Sequence, residues 1–183
     1  IARSFHHITR CASLCGTTGK TVLLPGGWVC RGEKQYLVVR RSEETPERDG
    51  TFKGELREDQ PYIDPRTGEW ITLTSADPRI LSTVKTRDNF TAHLDAKACR
   101  PPLYYRPGHS DDTICPFGSD RCIGLHAFLK KQGLSLHERE RAAVVVNSDD
   151  EVVWIPGGRI DRRFKVSGTT RRIFIISCRP EGK

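Results

Sequence analysis

Methionine is absent from the 183 residues, and no apolar run exceeds five, the longest ending in Val144-Val145-Val146. A membrane-crossing helix needs about 20 mostly apolar residues, so none is expected. The first residues also lack the apolar core of a signal peptide. With Ile1 first and no Met anywhere, the chain reads as a piece of a longer protein. Catalytic signatures are missing as well. There is no G-x-x-x-x-G-K-[ST] phosphate loop, no G-x-G-x-x-G and no G-x-S-x-G. Strands, not helices, are expected after Pro25-Gly26-Gly27 and Pro156-Gly157-Gly158, so these are turns rather than phosphate cradles. No Asp, Glu or His set pairs a nucleophile with a base, so the chain alone is not expected to be catalytic.

Paired cysteines are also lacking. The seven Cys are an odd number and scattered, whereas a secreted disulfide framework favours even, dense spacing. Reduced thiols and a cytoplasmic location are expected. Three residues separate Cys11 from Cys15 and six separate Cys115 from Cys122, with His6, His7, His109 and His126 nearby in sequence. Structural zinc prefers tighter, matched pairs, so no metal site is expected.

Enough apolar residues are present for a core: 36% hydrophobic against 29% charged, a soluble globular balance for one or two domains. The net charge is +7, which points to a polyanion partner. Its placement says more. Residues 42–69 hold nine Asp/Glu against four Lys/Arg, and residues 152–183 hold eight Lys/Arg against two Asp/Glu.

Phe5, Ile8, Ala12 and Cys15 stand at helical spacing, so residues 1–16 read as the end of a preceding helical region. Residues 17–100 read as a β-rich region. Its strands are expected at Val22-Leu23-Leu24, Trp28-Val29-Cys30, residues 36–39, 69–73, 81–84 and 91–94. Within it, 42–69 is polar and turn-rich and reads as an insertion. Residues 101–183 read as a C-terminal domain. Leu103-Tyr104-Tyr105 and Thr113-Ile114 are short strands. Leu125, Phe128 and Leu129 mark a helix over 123–132, stopped by Gly133. Ser135 and Glu138 have capping-box spacing and start a second helix. Strands at 144–146, 152–155, 164–166 and 173–176 complete the sheet. The fold class is therefore α+β: mostly antiparallel β, sandwich-like, with short helices.

The cations are the candidate binding residues. Arg159, Arg162, Arg163, Lys165, Arg171 and Arg172 form the densest group, and guanidinium forks suit phosphate oxygens. The same charges would also protect an edge strand. Lys130 and Lys131 end a helix, where cations complement the macrodipole as readily as they meet phosphate. Arg139 and Arg141 point to different faces of a helix, with Glu138 and Glu140 available as local partners. Arg106 follows Tyr104 and Tyr105, an aromatic-cation grouping found in single-strand binders and equally in a buried tyrosine pair.

The ordered series Arg106-Pro107-Gly108, Pro116-Phe117-Gly118, Glu138-Arg139-Glu140-Arg141 and Trp154-Ile155-Pro156-Gly157 with Arg159-Ile160 resembles the C-terminal domain of tRNA(Ile)-lysidine synthases. Upstream, GKTVLLPGGWVCR is similar to a G-K-x-x-x-L-P-G-G segment of that family, and FTAHLDAKAC to an aspartate-bearing strand end. Ser135 and Ala143 stand where the family has proline, and His109 where the turn has Asp. The resemblance implies a β-sandwich-like fold shared with a module of the phenylalanyl-tRNA synthetase β-chain. Enzymes of the family join lysine to the wobble cytidine of an isoleucine tRNA through an adenylate. ATP and Mg are implied for such a parent protein, in an N-terminal domain with an S-G-G-x-D-S loop that this sequence lacks. For this chain no cofactor is implied. The implied role is substrate recognition, holding the tRNA acceptor stem. The implied partners are that tRNA, the chain's own catalytic domain and a second copy of the chain, with no membrane. A protein-interaction module docking on the catalytic domain or a twin subunit is the alternative, and a diverged relative binding another anion is a further one.

Overall fold

The first helix, α1 (Ala2–Ala12), precedes three short strands: β1 (Thr21–Leu24), β2 (Trp28–Gly32) and β3 (Leu37–Arg41). These pair antiparallel in the order β1-β2-β3. Leu14, Val22 and Cys30 are buried together, with Cys11, Leu24 and Leu37 packed against them. The computed structural model describes residues 2–17, 19–26, 28–32, 35–41, 53–82 and 89–179. Two compact units result, one of residues 1–49 with 129–141, the other of 50–128 with 142–183. Residues 129–141 fall in the same unit as the first three strands.

The larger unit begins with β4 (Gly54–Leu56), β5 (Tyr62–Ile63) and β6 (Trp70–Ala76). After a 3-10 helix at Pro78–Ser82 come β7 (Thr91–Asp95) and α2 (Ala96–Cys99). Then follow β8 (Leu103–Pro107), β9 (Thr113–Ile114) and β10 (Ile123–Gly124), and α3 (Leu125–Lys131) leaves the sheets. The short α4 (Leu136–Arg141) lies in the smaller unit, and β11 (Ala143–Val146) and β12 (Val152–Trp154) return the chain to the larger one. A 3-10 turn at Arg162–Phe164 and β13 (Ile173–Arg179) end the described structure.

Two four-stranded antiparallel sheets, β12-β11-β8-β4 and β5-β6-β13-β7, supply one continuous core. Alternation explains which side chains enter it. Ile71 and Leu73 of β6, Ala92 and Leu94 of β7, and Phe174, Ile176 and Cys178 of β13 come from one sheet. Leu56, Leu103, Tyr105, Val145 and Val153 come from the other. The expected sandwich-like, mostly antiparallel fold with short helices is thus observed.

Several local expectations change. Within the turn-rich segment, residues 53–69 contribute strands to both sheets: β4 pairs with β8 and β5 with β6. Asp64 is fully buried, accepting the Arg66 amide at 2.8 Å and its guanidinium at 2.7 Å. The acidic stretch 42–52 lies outside the described residues. The strand expected at 81–84 is met by the 3-10 helix up to Ser82, and residues 83–84 are not described. Ile123 pairs with Ile114 rather than opening the helix. Phe164 ends a 3-10 turn instead of starting a strand. Cys115 and Cys122 are joined as a disulfide across the β9-β10 hairpin, which corrects the expectation of uniformly reduced thiols. Burial pushes the Cys99 and Cys178 thiols up to about 12, so they are inert core groups.

Candidate nucleic-acid interface

Strands β12 and β7 each form one of the two edges of their sheet, and bare edges invite pairing with other chains. The segment after β12 covers both. Ile160 bridges Trp154, and the Asp161 amide donates to the Val153 carbonyl at 3.0 Å. On the other side, the Gly157 amide donates to the Asn89 carbonyl at 3.1 Å, and Lys165 bridges Leu94. Residues 157–165 therefore form a strap that closes one side of the sandwich. The Pro156-Gly157-Gly158 turn makes this route available, since Gly157 has φ of 71° and an added Cβ would press on the Phe90 ring at 3.3 Å.

Asp161 organises the strap. It is fully buried, caps the 3-10 turn through the Arg163 amide at 2.9 Å, and accepts the Cys115 amide at 2.8 Å. Its two oxygens also take Arg163 Nε and one terminal nitrogen, both at 3.0 Å. Glu151 accepts the other terminal nitrogen at 2.6 Å. The Asp161 hydrogen bonds hold the Arg163 guanidinium above its ordinary range.

The remaining sequence candidates divide by their partners. Arg106 is 3% exposed and forks onto Asp112 at 2.8 and 2.9 Å, with Asp150 at 3.1 Å. A buried guanidinium so committed presents no face to a phosphate, so Arg106 is corrected from a binding candidate to a core ion pair. Its neighbour Tyr105 is buried and donates to Glu69, whereas Tyr104 lies half-buried under Lys53. Arg162 reaches Asp120, and Arg172 is held by Glu58 and Ser75. Arg159, Lys165 and Arg171 are exposed, and no carboxylate pairs with them among the described residues.

Lys130, Lys131, Arg139 and Arg141 fall in the smaller unit. Ser135 and Glu138 form the expected capping box, at 2.8 and 3.2 Å. Glu140 takes the buried Arg31 guanidinium at 2.7 and 3.2 Å. Arg139 donates to the Ser135 carbonyl. Lys130, Lys131 and Arg141 are exposed, with no carboxylate partner among the described residues.

Sequence reasoning missed α2 and its cations. A cleft of about 470 Å³ brings Lys97, Arg100 and Arg163 against Asp95 and Glu151. Arg100 also pairs with Asp149 at 2.7 Å, and the Lys97 charge acts on Asp95 in the same cleft. The available signal was Asp95 two residues before Lys97, an N-cap pattern too short to read as a helix. Among the described residues no three His, Cys, Asp or Glu side chains converge as metal ligands, and no helix is long and apolar enough to cross a membrane.

No family model matches the chain. The tRNA(Ile)-lysidine synthase of Bacteroides thetaiotaomicron is 29% identical over 89 residues, 49% of this chain and 21% of the relative. That of Parabacteroides distasonis is 31% identical over 86 residues, 47% of this chain and 19% of the relative. The chain thus matches about a fifth of the length of these relatives. The crystal structure of a TilS C-terminal domain superposes with a TM-score of 0.61 and 18% identity, covering 72% of this chain and 98% of that one. The homologues of this chain are tRNA(Ile)-lysidine synthases, matched over about half its length, and its fold is that of the TilS C-terminal domain.

Proposed function

We propose that this chain is the substrate-recognition part of a tRNA(Ile)-lysidine synthase, holding the acceptor stem of its tRNA. On this reading the rest of the parent protein ligates lysine with ATP and Mg, in the cytoplasm, and this part supplies grip rather than chemistry. The observation that carries it is the strap. It sets Arg159 and Lys165 on the outside of the sandwich with their charges uncompensated by any described carboxylate. A-form RNA hides its base edges in a deep major groove, so contact falls on phosphates and 2′-hydroxyls and shape dominates.

Affinity should then fall steeply with salt. The test is binding of the 183-residue chain to isoleucine tRNA and to an unrelated tRNA across a salt series. Arg159→Glu/Lys165→Glu is the informative variant, because reversing Arg163 would also strand the buried Asp161. It should weaken both tRNAs and lower the salt slope by about one for each phosphate no longer neutralised. Wild-type binding that ignores salt would count against the reading. So would a double variant that binds as the wild type does. A preference for the isoleucine tRNA would place part of the discrimination in this chain.

A further inference from the structure

Strands β9 and β10 are two residues each, with Ile123 paired to Ile114 and Gly124 to Thr113. One further bond runs from the Leu125 amide to the Asp112 carbonyl at 2.8 Å. A ladder this short gives the loop at its open end little purchase. Continuing the register one step sets Cys115 opposite Cys122, and there the disulfide joins the two arms. It closes a loop of six residues, Pro116 to Arg121. Phe117, Gly118, Asp120 and Arg121 are exposed.

The two ends of the bond differ. Cys115 is 1% exposed and lies in the hydrogen-bond network of the strap. Its amide donates to the buried Asp161 at 2.8 Å, and its carbonyl accepts the Arg162 amide at 2.9 Å. Cys122, at the other end, is exposed. The loop between them touches the strap a second time, from outside. The Arg162 guanidinium reaches the Asp120 carboxylate at 3.5 Å and its carbonyl at 3.2 Å. The Asp120 side chain is fully exposed, and a surface pair of this kind holds little by itself. It persists because the disulfide fixes the course of the loop.

We infer that the Cys115–Cys122 disulfide is a thiol–disulfide exchange site, a reversible latch that a dithiol reductant opens at Cys122, and that opening it releases the 116–121 loop from the strap. The reductant thiolate attacks Cys122 Sγ, the S–S bond breaks, and Cys115 leaves with the electron pair and takes up a proton. The second thiolate of the reductant then displaces Cys122 from the mixed disulfide, and Cys122 takes up the other proton. Two electrons pass from the dithiol to the protein, leaving two thiols and an oxidised reductant. Cys115 keeps its place, because its bonds to Asp161 and Arg162 are made by the backbone and do not need the sulfur. What is lost is the tether that keeps Asp120 on Arg162.

The 183-residue chain is purified without reductant, equilibrated with dithiothreitol and alkylated with iodoacetamide, and its cysteines are mapped by mass spectrometry. Cys122 should pass from unmodified to alkylated. The buried Cys30, Cys99 and Cys178 should stay unmodified, which separates local opening from unfolding. Trypsin cleavage after Arg121 reads the loop, and reduction should speed it roughly tenfold or more as the open form becomes populated. Cys122→Ser should be cleaved at the fast rate with or without dithiothreitol. A disulfide that resists dithiothreitol until the buried cysteines also react would overturn the exchange site. Equal cleavage rates in the oxidised, reduced and Cys122→Ser chains would overturn the latch. Alkylation of Cys122 before any reductant is added would sink both.

Discussion

Arg106 shows how far a single side chain can be misread from its neighbours in sequence. Beside Tyr104 and Tyr105 it looks like a nucleic-acid contact, but the partners that claim it are Asp112, six residues on, and Asp150, far along the chain. Burial works to lower this guanidinium, and the two carboxylates outweigh it, so it stays charged. Removing one member of a buried pair leaves the other uncompensated. Arg106→Leu should therefore cost about 3–5 kcal/mol in denaturant unfolding. Arg106→Leu/Asp112→Leu should recover much of that loss, since replacing both partners with apolar groups removes the stranded charge. If the double variant is as unstable as the single one, the pair is not what holds this corner. Legibility at this scale follows the range of the interaction. The Ser135–Glu138 capping box was readable because both partners lie within one turn. The Arg31–Glu140, Arg106–Asp150 and Arg163–Glu151 pairs were not, because these partners lie far along the chain and are fixed by sheet pairing and packing.

Strands were legible where the alternation of one face survives in sequence, as in β6 and β7, or where a short run is apolar throughout, as in β11 and the start of β13. They were lost where burial depends on another element. Residues 53–69 read as a polar insertion because β4 and β5 are only three and two residues long. Too few side chains alternate there to show a period. Their place in the sandwich comes instead from close approach. A Cβ added to Gly54 would fall on the Tyr62 ring, between strands that flank the same core. That ring also packs 6.0 Å from Tyr105, centroid to centroid, so it has little room to yield. Gly54→Ala should destabilise by about 1–3 kcal/mol, as overpacking does, with a lower melting temperature and an unchanged circular dichroism spectrum. A neutral outcome would mean that the Tyr62 ring does not press on β4. The cation-rich stretch after β12 divides in the same way. Its charge was legible, but its course along β7 was not, because a strap is defined by the edges it covers rather than by its own periodicity.

Charge over the whole molecule is uneven in consequence as well as in count. The sequence has 30 Lys and Arg against 23 Asp and Glu, and the structure places many of the carboxylates inside ion pairs and caps. Acidification therefore acts twice: it dismantles those contacts and it leaves the cations to repel one another. Asp95 and Asp150 are both held below the ordinary value of 3.8. For Asp95, burial works to raise the carboxyl, and the Thr170 hydroxyl, the Ala98 and Lys97 amides and the Lys97 charge outweigh it. For Asp150, burial is likewise outweighed by Arg106 and Lys53. A carboxyl depressed by folding contributes stability that is fully present above its unfolded value and is lost as pH falls through the folded one. The larger unit should accordingly keep these contributions near neutrality and lose them below about pH 4. Thr170→Val removes one of the bonds that depress Asp95 while keeping the side chain's shape. It should lower stability near neutrality by about 1 kcal/mol or somewhat more, as expected for a hydrogen bond to a charged group. As pH falls and Asp95 takes up its proton, it should cost less. Urea unfolding of wild type and variant at about pH 6 and about pH 2 reads that difference directly. The general repulsion is common to both proteins and cancels in the comparison. A cost for Thr170→Val that is the same at both pH values would show that the Asp95 charge does not hold Thr170.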